Sequence, residues 1–561
     1  MSARKEFDKL KAISDVPVEK RAEWLSSAEC AIEFLKENAL SDHVVLYASL
    51  PHVLIHGVLA PLAVFDLPDQ EDLEHMSIDV GDSWVIQRSY GGGEGHRVYL
   101  EPPLSFPGCK SLVDGEKLIF KRHFEGMKNH QPLIELSQKL VHCFGLHYLA
   151  DRPAYCRLDD HGDLEDIITV LIGPSSNVVL MASKELAEYM ALSKQALIRK
   201  FDFTRFVLNN FSGWAGQEPL RRSARDLFYH GAVMAGHASY VNGCQIIRTS
   251  VTPETIVEEW RRSIDPANKR YETFKIQDWK NRRLIECSCA PDAISNYFTK
   301  SNKPFEVSPA FFRPEVLTKY KADPEKYTLE DRSISCRNSW HLNTYDVNEA
   351  GQVHTYIVYL SQLPYEEQQY WKSFNEWPKE PISKRAYQTD FEGTWATEHD
   401  PLQDIRQLIH ELDCRGPPWW KPRGGELSGA VLYPATNSAK EWGDELLALD
   451  QLIVEGFVAK ELRTLAKRLG SGLEKDWGSL KIIEAMLPSL GIPADQAVST
   501  MDPLRTLHNL RTKVKGHAAP GERRALEAAA KTEHSTFRAH FEALSRGCHT
   551  ALVRVVDALE C

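Results

Sequence analysis

The sequence predicts an α+β protein, with a mixed α/β N-terminal body of several subdomains followed by an all-α helical bundle. Short segments rich in β-branched and aromatic residues, such as HVVLYASL from residue 43, indicate strands in residues 1–414. After residue 440 this strand signal stops, and apolar residues recur at helical spacing. The stretch 415–440 between them is dense in Gly and Pro, so it cannot form a long regular element.

The chain of 561 residues is long enough for three or four domains of roughly 100–200 residues each. We predict a helix plus β-rich domain over 1–130 and a mixed α+β domain over 131–414. A Gly/Pro-rich linker over 415–440 then leads into the helical domain, 441–561. This linker is expected to act as a hinge.

Within the N-terminal body, residues 1 to about 40 show helical periodicity, and strands are predicted from 43 to about 125. The segment CRLDDHGDLEDIITVLI predicts a hairpin with its turn at His161–Gly162. The pair Asn242–Gly243 predicts the turn of another hairpin.

The charge excludes a protein that coats nucleic acid over its whole surface. The formal net charge is −11, which repels a polyanion at long range. Residues 436–561 contain 17 basic and 17 acidic side chains, so the net negative charge belongs to residues 1–435. Any contact with nucleic acid must therefore come from a local basic patch.

The cysteines and the apolar segments favour a cytoplasmic protein. The 11 cysteines have no repeating spacing, which argues against a disulfide framework and for a reducing compartment. The N-terminus lacks the apolar core of a signal peptide. The longest apolar stretch, 53–65, is broken by polar, Gly and Pro residues and is too short to span a bilayer. We therefore expect no membrane partner.

Four helices are predicted in the C-terminal domain. The first carries a long apolar stripe and ends at Gly470, and the second covers roughly 478–490. The third begins near Pro503, with Asp502 as its N-cap, and the fourth covers about 522–558. The stripe of the first helix contains Leu446, Leu449, Ile453, Phe457, Leu462, Leu465 and Leu469.

The third helix carries the best candidate functional segment. Its apolar face predicts a core contact, and basic or protonatable side chains form the neighbouring stripe. Gly516 is a natural helix stop, which would let His517 fold back toward Arg511. The apolar face consists of Leu504, Leu507, Leu510 and Val514, and the neighbouring stripe of His508, Arg511 and Lys515.

An Arg and a His can cleave RNA without a metal or another cofactor, because RNA carries its own nucleophile, the 2′-hydroxyl. A histidine titrates near neutral pH, so it can accept that proton or protonate the leaving oxygen. An arginine can neutralise charge on the phosphate in the transition state. Between 503 and 524 the chain has six Lys or Arg and a single acid, Glu522, which predicts a local basic patch.

The motif Arg511-Thr-Lys-Val-Lys-Gly-His517 in a helical domain resembles the HEPN superfamily, in which Arg and His are separated by four to six residues. The resemblance covers about 440–561. It implies a metal-independent ribonuclease of the toxin or antiviral type, acting as a homodimer on RNA, with Arg511 and His517 catalytic. Thr512 departs from the family pattern, in which an amide, acidic or His residue follows the Arg. The side chains expected to contact RNA are His508, Lys513, Lys515 and Arg505.

Two hypotheses remain open at this point. In the first, the chain is an endoribonuclease effector whose N-terminal body senses a protein or small-molecule trigger. In the second, suggested by Thr512, the helical domain is a non-catalytic HEPN-like dimerisation or ligand-binding module. The functional surface would then lie in the N-terminal body, which could also hold an enzyme site of its own.

Overall fold

A computed structural model describes residues 2–15, 21–62, 77–78, 86–90, 95–100, 104–105, 115–122, 133–173, 175–206, 220–224, 226–234, 238–265, 268–330, 332–394, 400–515 and 520–560. The chain is α+β, with a sheet-rich N-terminal half and a helical C-terminal region. It divides into two compact units. The first consists of Met1–Asp159 and Asp163–Lys269, and the second of Asp160–Gly162 and Arg270–Cys561.

The α-helices are α1 (Ser2–Ser14), α2 (Arg21–Asn38), α3 (Gln138–Cys143), α4 (Ser183–Ser193), α5 (Pro253–Ile264), α6 (Thr318–Ala322), α7 (Ile357–Leu360), α8 (Tyr365–Phe374), α9 (Lys384–Tyr387), α10 (Pro401–Arg415), α11 (Gly424–Ala430), α12 (Ala439–Ile453), α13 (Ala459–Arg468), α14 (Ser479–Met486), α15 (Ala494–Lys515), α16 (Pro520–His534) and α17 (Phe537–Glu560). Short 3-10 helices cover Pro314–Leu317, Val454–Gly456 and Leu487–Leu490.

The strands are β1 (His43–Leu50), β2 (Val53–Pro61), β3 (Ser77–Ile78), β4 (Ile86–Ser89), β5 (Arg97–Leu100), β6 (Leu104–Ser105), β7 (Glu116–Lys117), β8 (Ile119–Arg122), β9 (Leu133–Leu136), β10 (His147–Leu149), β11 (Ala154–Leu158), β12 (Leu164–Ile172), β13 (Asn177–Ala182), β14 (Gln195–Asp202), β15 (Arg205–Phe206), β16 (Leu220–Ala224), β17 (Leu227–Met234), β18 (Ala238–Ile247), β19 (Thr273–Asp278), β20 (Arg283–Ser288), β21 (Pro309–Phe312), β22 (Tyr327–Leu329), β23 (Ile334–Cys336), β24 (Trp340–Leu342), β25 (Asp346–Val347), β26 (Val353–Tyr356) and β27 (Asn375–Glu376).

The first unit is built on a twelve-stranded antiparallel sheet with the main order β10-β11-β12-β13-β1-β2-β14-β18-β17-β16. Both faces of its central strands are covered, so β1 is apolar on both sides. Val44 and Leu46 point to the core shared with α3 and α4, whereas Val45 points to the core shared with α1 and α2. The predicted hairpin around His161–Gly162 is confirmed by the antiparallel pairing of β11 with β12.

The Asn242–Gly243 turn is a wrong prediction, because β18 runs straight through both residues. Gly243 pairs with Phe201 of β14 on one side and with Tyr229 of β17 on the other. A Cβ atom on Gly243 would lie 2.0 Å from the carbonyl oxygen of Phe228. The glycine therefore permits a close approach between strands rather than a change of direction.

The second unit begins with a six-stranded sheet whose main order is β20-β19-β21-β26-β25, and a separate three-stranded sheet, β22-β23-β24. Phe274, Phe312 and Trp371 are fully buried in their shared core. On α6, the ammonium of Lys321 lies 2.7 Å from the Glu441 carboxylate and 2.8 Å from that of Glu445. These ion pairs connect the sheet part of the unit to α12 in the helical part.

The helical part encloses one extended core, and the predicted inner face of the third helix is confirmed. Leu504, Leu507, Leu510 and Val514 are all buried in it. The ring of Trp442 on α12 stacks on Phe537 of α17, with centroids 4.7 Å apart and planes 11° from parallel. The same core contains Leu402, Ile405, Ile409 and Leu412 of α10, so the helical region extends N-terminal to residue 441.

The segment 415–440, interpreted from its composition as a linker, also contributes to this core. Trp419 and Trp420 are buried there, and the Trp420 indole N–H donates to Asp413 Oδ1 at 2.8 Å. The Val458 amide donates to the Trp419 carbonyl at 2.9 Å. Gly and Pro exclude a long regular element, but they do not prevent the tryptophans between them from packing into a core.

The helix boundaries differ from the predicted ones in three places. The first predicted helix is interrupted after α12 by a 3-10 turn. The third begins at Ala494, so Pro503 lies inside it. Its ring packs against Gly547 of α17, where a Cβ atom would lie 3.2 Å from Pro503 Cβ. The fourth is divided at Ser535, whose φ of 65° ends α16 before α17 begins.

Described helices that are long enough to cross a bilayer are too polar to do so.

Candidate active site in the helical bundle

A fully buried carboxylate, Asp450, lies at the contact between α12 and α15. Trp442, Leu446 and Leu449 define the buried face of α12, and Asp450 falls on the same face, one helical turn after Leu446. A carboxylate in such a place is costly unless it has charged or hydrogen-bonding partners. The neighbouring helix α15 supplies them.

His508 and Arg511 of α15 both face Asp450. His508 Nδ1 lies 3.0 Å from Asp450 Oδ1, and Arg511 Nε lies 3.6 Å from Asp450 Oδ2. The other end of the guanidinium, Nη2, lies 3.6 Å from Glu455 Oε1. Because His508 and Arg511 are three residues apart, they occupy adjacent turns on one face of the helix.

The hydrogen bond between His508 and Asp450 sets the orientation of the imidazole. An ionised carboxylate only accepts hydrogen bonds, so with Asp450 ionised the proton belongs on Nδ1, and Nε2 is the unprotonated nitrogen of the neutral ring. The His508 side chain is 46% exposed, whereas that of Asp450 is 0% exposed. A buried acid holding a half-exposed histidine is an arrangement suited to proton transfer at the protein surface.

Burial raises the pKa of Asp450. The hydrogen bond from His508 and the charge of Arg511 act in the opposite direction, while the carboxylate of Glu455 adds to the increase. Asp450 Oδ2 and Arg511 Nε, although shielded from solvent, have no hydrogen-bond partner among the described residues. Arg511 is therefore held by charge at ion-pair distance rather than by a saturated set of hydrogen bonds.

The cations predicted to contact RNA all lie beside carboxylates. The predicted basic patch is therefore not a surface of unpaired positive charge, because a carboxylate that is distant in sequence or on another helix offsets each cation. The ion pairs are Arg505 with Glu484, Lys515 with Asp444, and Lys513 with Glu522, the last at 2.6 Å.

Thr512, the residue that departs from the motif, donates its hydroxyl to the His508 carbonyl at 2.8 Å.

His517 lies outside the described residues, so the predicted return of its side chain toward Arg511 stays a prediction. Gly516, the predicted helix stop, also lies outside the described residues, so the end of α15 after Lys515 stays a prediction as well. Of the predicted site residues, the structure brings Arg511 and His508 together. Sequence reasoning missed Asp450 and Glu455, although an acid within the apolar stripe of α12 was a readable signal.

In the part of the chain that the structure describes, no cluster of three or more His, Cys, Asp or Glu side chains is arranged to hold a metal ion. The groups that Asp450 gathers can donate and accept protons and can bind an anion. No protein-family model, curated protein or solved structure matches the chain.

Proposed function

We propose that the chain is a metal-independent endoribonuclease effector, of the toxin or antiviral-defence type, whose catalytic groups lie in the helical bundle. The observation that carries the proposal is the buried Asp450, which orients His508 beside Arg511. The HEPN-like motif supplies His517 as a second histidine close in sequence. RNA is the substrate, and a second copy of the chain faces this site as its homodimer partner.

In the proposed reaction, one histidine removes the proton of the 2′-hydroxyl, which attacks the adjacent phosphorus atom. The bond to the 5′-oxygen breaks, and the other histidine protonates that oxygen. The products are a 2′,3′-cyclic phosphate and a 5′-hydroxyl. Arg511 stabilises the additional negative charge on the phosphate oxygens as it develops. Asp450 keeps His508 in one tautomer and in one orientation.

The ionic contacts of Arg511 are consistent with this role. The Arg511 side chain is 32% exposed, and its guanidinium lies 3.6 Å from each carboxylate, which is longer than a charge-assisted hydrogen bond of about 2.7–2.9 Å. A phosphate can therefore compete for it. The acidic remainder of the chain, which carries the net −11, would serve to sense a protein or small-molecule trigger.

The test is cleavage of a single-stranded RNA by the purified chain in EDTA, with analysis of the new ends. We expect 2′,3′-cyclic phosphate ends, and loss of cleavage in the separate variants Arg511→Ala, His508→Ala and His517→Ala. His410→Ala, which alters an exposed histidine of α10, is the matched control and should cleave normally. Intact RNA with the unaltered chain would rule out the assignment. So would cleavage by Arg511→Ala and His517→Ala at the rate of the unaltered chain.

One observation favours the second function, a non-catalytic dimerisation or ligand-binding module. The ion pairs of Arg505, Lys513 and Lys515 leave these cations engaged within the bundle. In that case Arg511→Ala would change neither cleavage nor toxicity, and the full chain would be dimeric by light scattering. A monomeric mass at micromolar concentration would count against both the dimerisation module and the proposed dimeric nuclease.

A further inference from the structure

Two aromatic rings of the second unit project almost completely into solvent. Tyr297 is 77% exposed and Phe298 is 92% exposed. Their ring centroids are 5.7 Å apart, and Tyr297 lies 5.5 Å from the half-buried ring of Phe305. Exposing two adjacent large rings forgoes the free energy of burying them, so the pair is a candidate binding feature.

The loop that carries these rings is held in place at its base and its side. The Ser295 amide donates to the Pro304 carbonyl, and the Glu306 amide donates to the Ser295 carbonyl, both at 2.9 Å. The Asn281 side chain, in the β19–β20 turn, donates to the Asn302 carbonyl at 3.3 Å. The rings therefore sit on a supported loop, which lowers the entropic cost when a ligand stacks on them.

Cations lie around the rings. Lys280 Nζ lies 4.8 Å above the centroid of Phe305 and within 3.5 Å of the Ser301 hydroxyl. Arg282, at the tip of the β19–β20 turn, and Lys300, two residues after Phe298, are exposed. Residues 279–303 contain five Lys or Arg and two acids, although the whole chain has an excess of acids. We call Lys280, Arg282, Tyr297, Phe298, Lys300 and Lys303 the hairpin–loop surface.

We propose that the hairpin–loop surface binds single-stranded nucleic acid without sequence preference. Exposed rings offer stacking planes for unpaired bases, and the flanking cations meet the phosphates of the same strand. A duplex would hide its base faces, so the rings could not stack on it. A purely apolar protein partner would leave the surrounding cations without counter-charges when they were buried.

This surface adds a place for holding the strand to the proposed nuclease, and it rests on that function only for the expectation that the strand is RNA. Binding and cleavage can be separated, because a strand without a 2′-hydroxyl nucleophile can stack but cannot be cut. A failure of the proposed cleavage would thus leave the binding proposal standing, and the reverse also holds.

The experiment is fluorescence anisotropy of the full chain with two labelled probes, 2′-O-methyl oligouridylate and oligothymidylate, each of 12 nucleotides. We expect both to bind. The double variant Tyr297→Ala/Phe298→Ala should weaken binding about 25-fold or more, because it removes two stacking rings and each stacked base accounts for a factor of about five or more. The ring-keeping variant Tyr297→Phe/Phe298→Tyr should bind normally, as should Tyr148→Ala, which removes another exposed tyrosine.

The cations have their own expected signature. In Lys280→Gln/Lys300→Gln, the slope of log affinity against log salt concentration should become shallower by about 0.7 for each phosphate that is no longer neutralised. Unchanged affinity in the double aromatic variant would overturn the proposal. So would a weakening of affinity that Tyr148→Ala reproduces. If the double aromatic variant binds nucleic acid normally but has a different mass by light scattering from the unaltered chain, the surface is a protein interface instead.

Discussion

Replacing Asp450 by Asn tests the centre of the proposed site most directly. The amide has the same shape as the carboxylate, so Asp450→Asn removes charge without creating a cavity. A hydrogen bond to a charged group contributes about 1.5–3 kcal/mol. Two features reduce the loss here: His508 and Arg511 are 46% and 32% exposed and regain water, and the amide relieves the burial of a charge. We therefore expect Asp450→Asn to lower the free energy of unfolding by only about 1 kcal/mol.

The expected effect on cleavage is much larger than the effect on stability. An Asn side chain can donate to Nδ1, and such a hydrogen bond favours the tautomer with the proton on Nε2. Acid–base catalysis by a positioned histidine typically contributes about 10²–10⁴-fold, so kcat should fall by at least about a hundredfold. A stable chain stays folded when its free energy of unfolding falls by about 1 kcal/mol, so the fall in kcat would not reflect unfolding.

The assay combines single-turnover cleavage in EDTA with urea unfolding of the same preparations. Asp444→Asn is the matched control, since Asp444 lies on α12 but is 49% exposed and pairs with Lys515 instead. It should cleave normally. If Asp450→Asn retains cleavage within about threefold while His508→Ala loses it, the proposed role of Asp450 is incorrect.

Further predictions concern packing, pH and charge. Gly456→Ala would place a Cβ atom 2.4 Å from the buried Trp420 ring, so urea unfolding should show a loss of about 1–3 kcal/mol, and an unchanged midpoint would contradict this packing. Burial lowers the pKa of His354 to about 4, so the unfolded chain binds the additional proton between pH 6.5 and 4 and stability falls as pH decreases through that window. His354→Gln should reduce this fall in the free energy of unfolding by up to about 3 kcal/mol, and parallel stability–pH profiles of the variant and the unaltered chain would refute the reasoning. Lys513→Ala/Lys515→Ala should lower the free energy of unfolding in urea by under about 1 kcal/mol per ion pair. The same variant should lower RNA affinity only if these cations leave their carboxylates to bind phosphate.

Local patterns in the sequence were sufficient for the features that depend on near neighbours in the chain. The apolar face of α15 follows from the spacing of Leu504, Leu507, Leu510 and Val514, all of which are buried. The turn between β11 and β12 follows from its polar and Gly residues. Hydrophobic periodicity and turn preference act over a few residues, which is why such features can be predicted without tertiary information.

Local patterns failed where a distant segment changed the environment. Pro503 is an ordinary helix start by its own preference, yet it lies inside α15 beside Gly547 of another helix. Gly243 is an ordinary turn residue, yet two neighbouring strands require its missing side chain in the middle of β18. In both cases the deciding contact comes from residues that no local window contains.

The sequence by itself determined that the C-terminal region is helical, that its apolar faces turn inward, and that Arg511 and His508 share one side of a helix. Only the tertiary structure decided that the buried Asp450 of α12 lies between them, and that carboxylates offset the cations predicted to meet RNA. The reason is physical. Periodicity shows which side of a helix avoids water, but the charge state and orientation of a side chain depend on the groups that folding brings within a few ångströms of it.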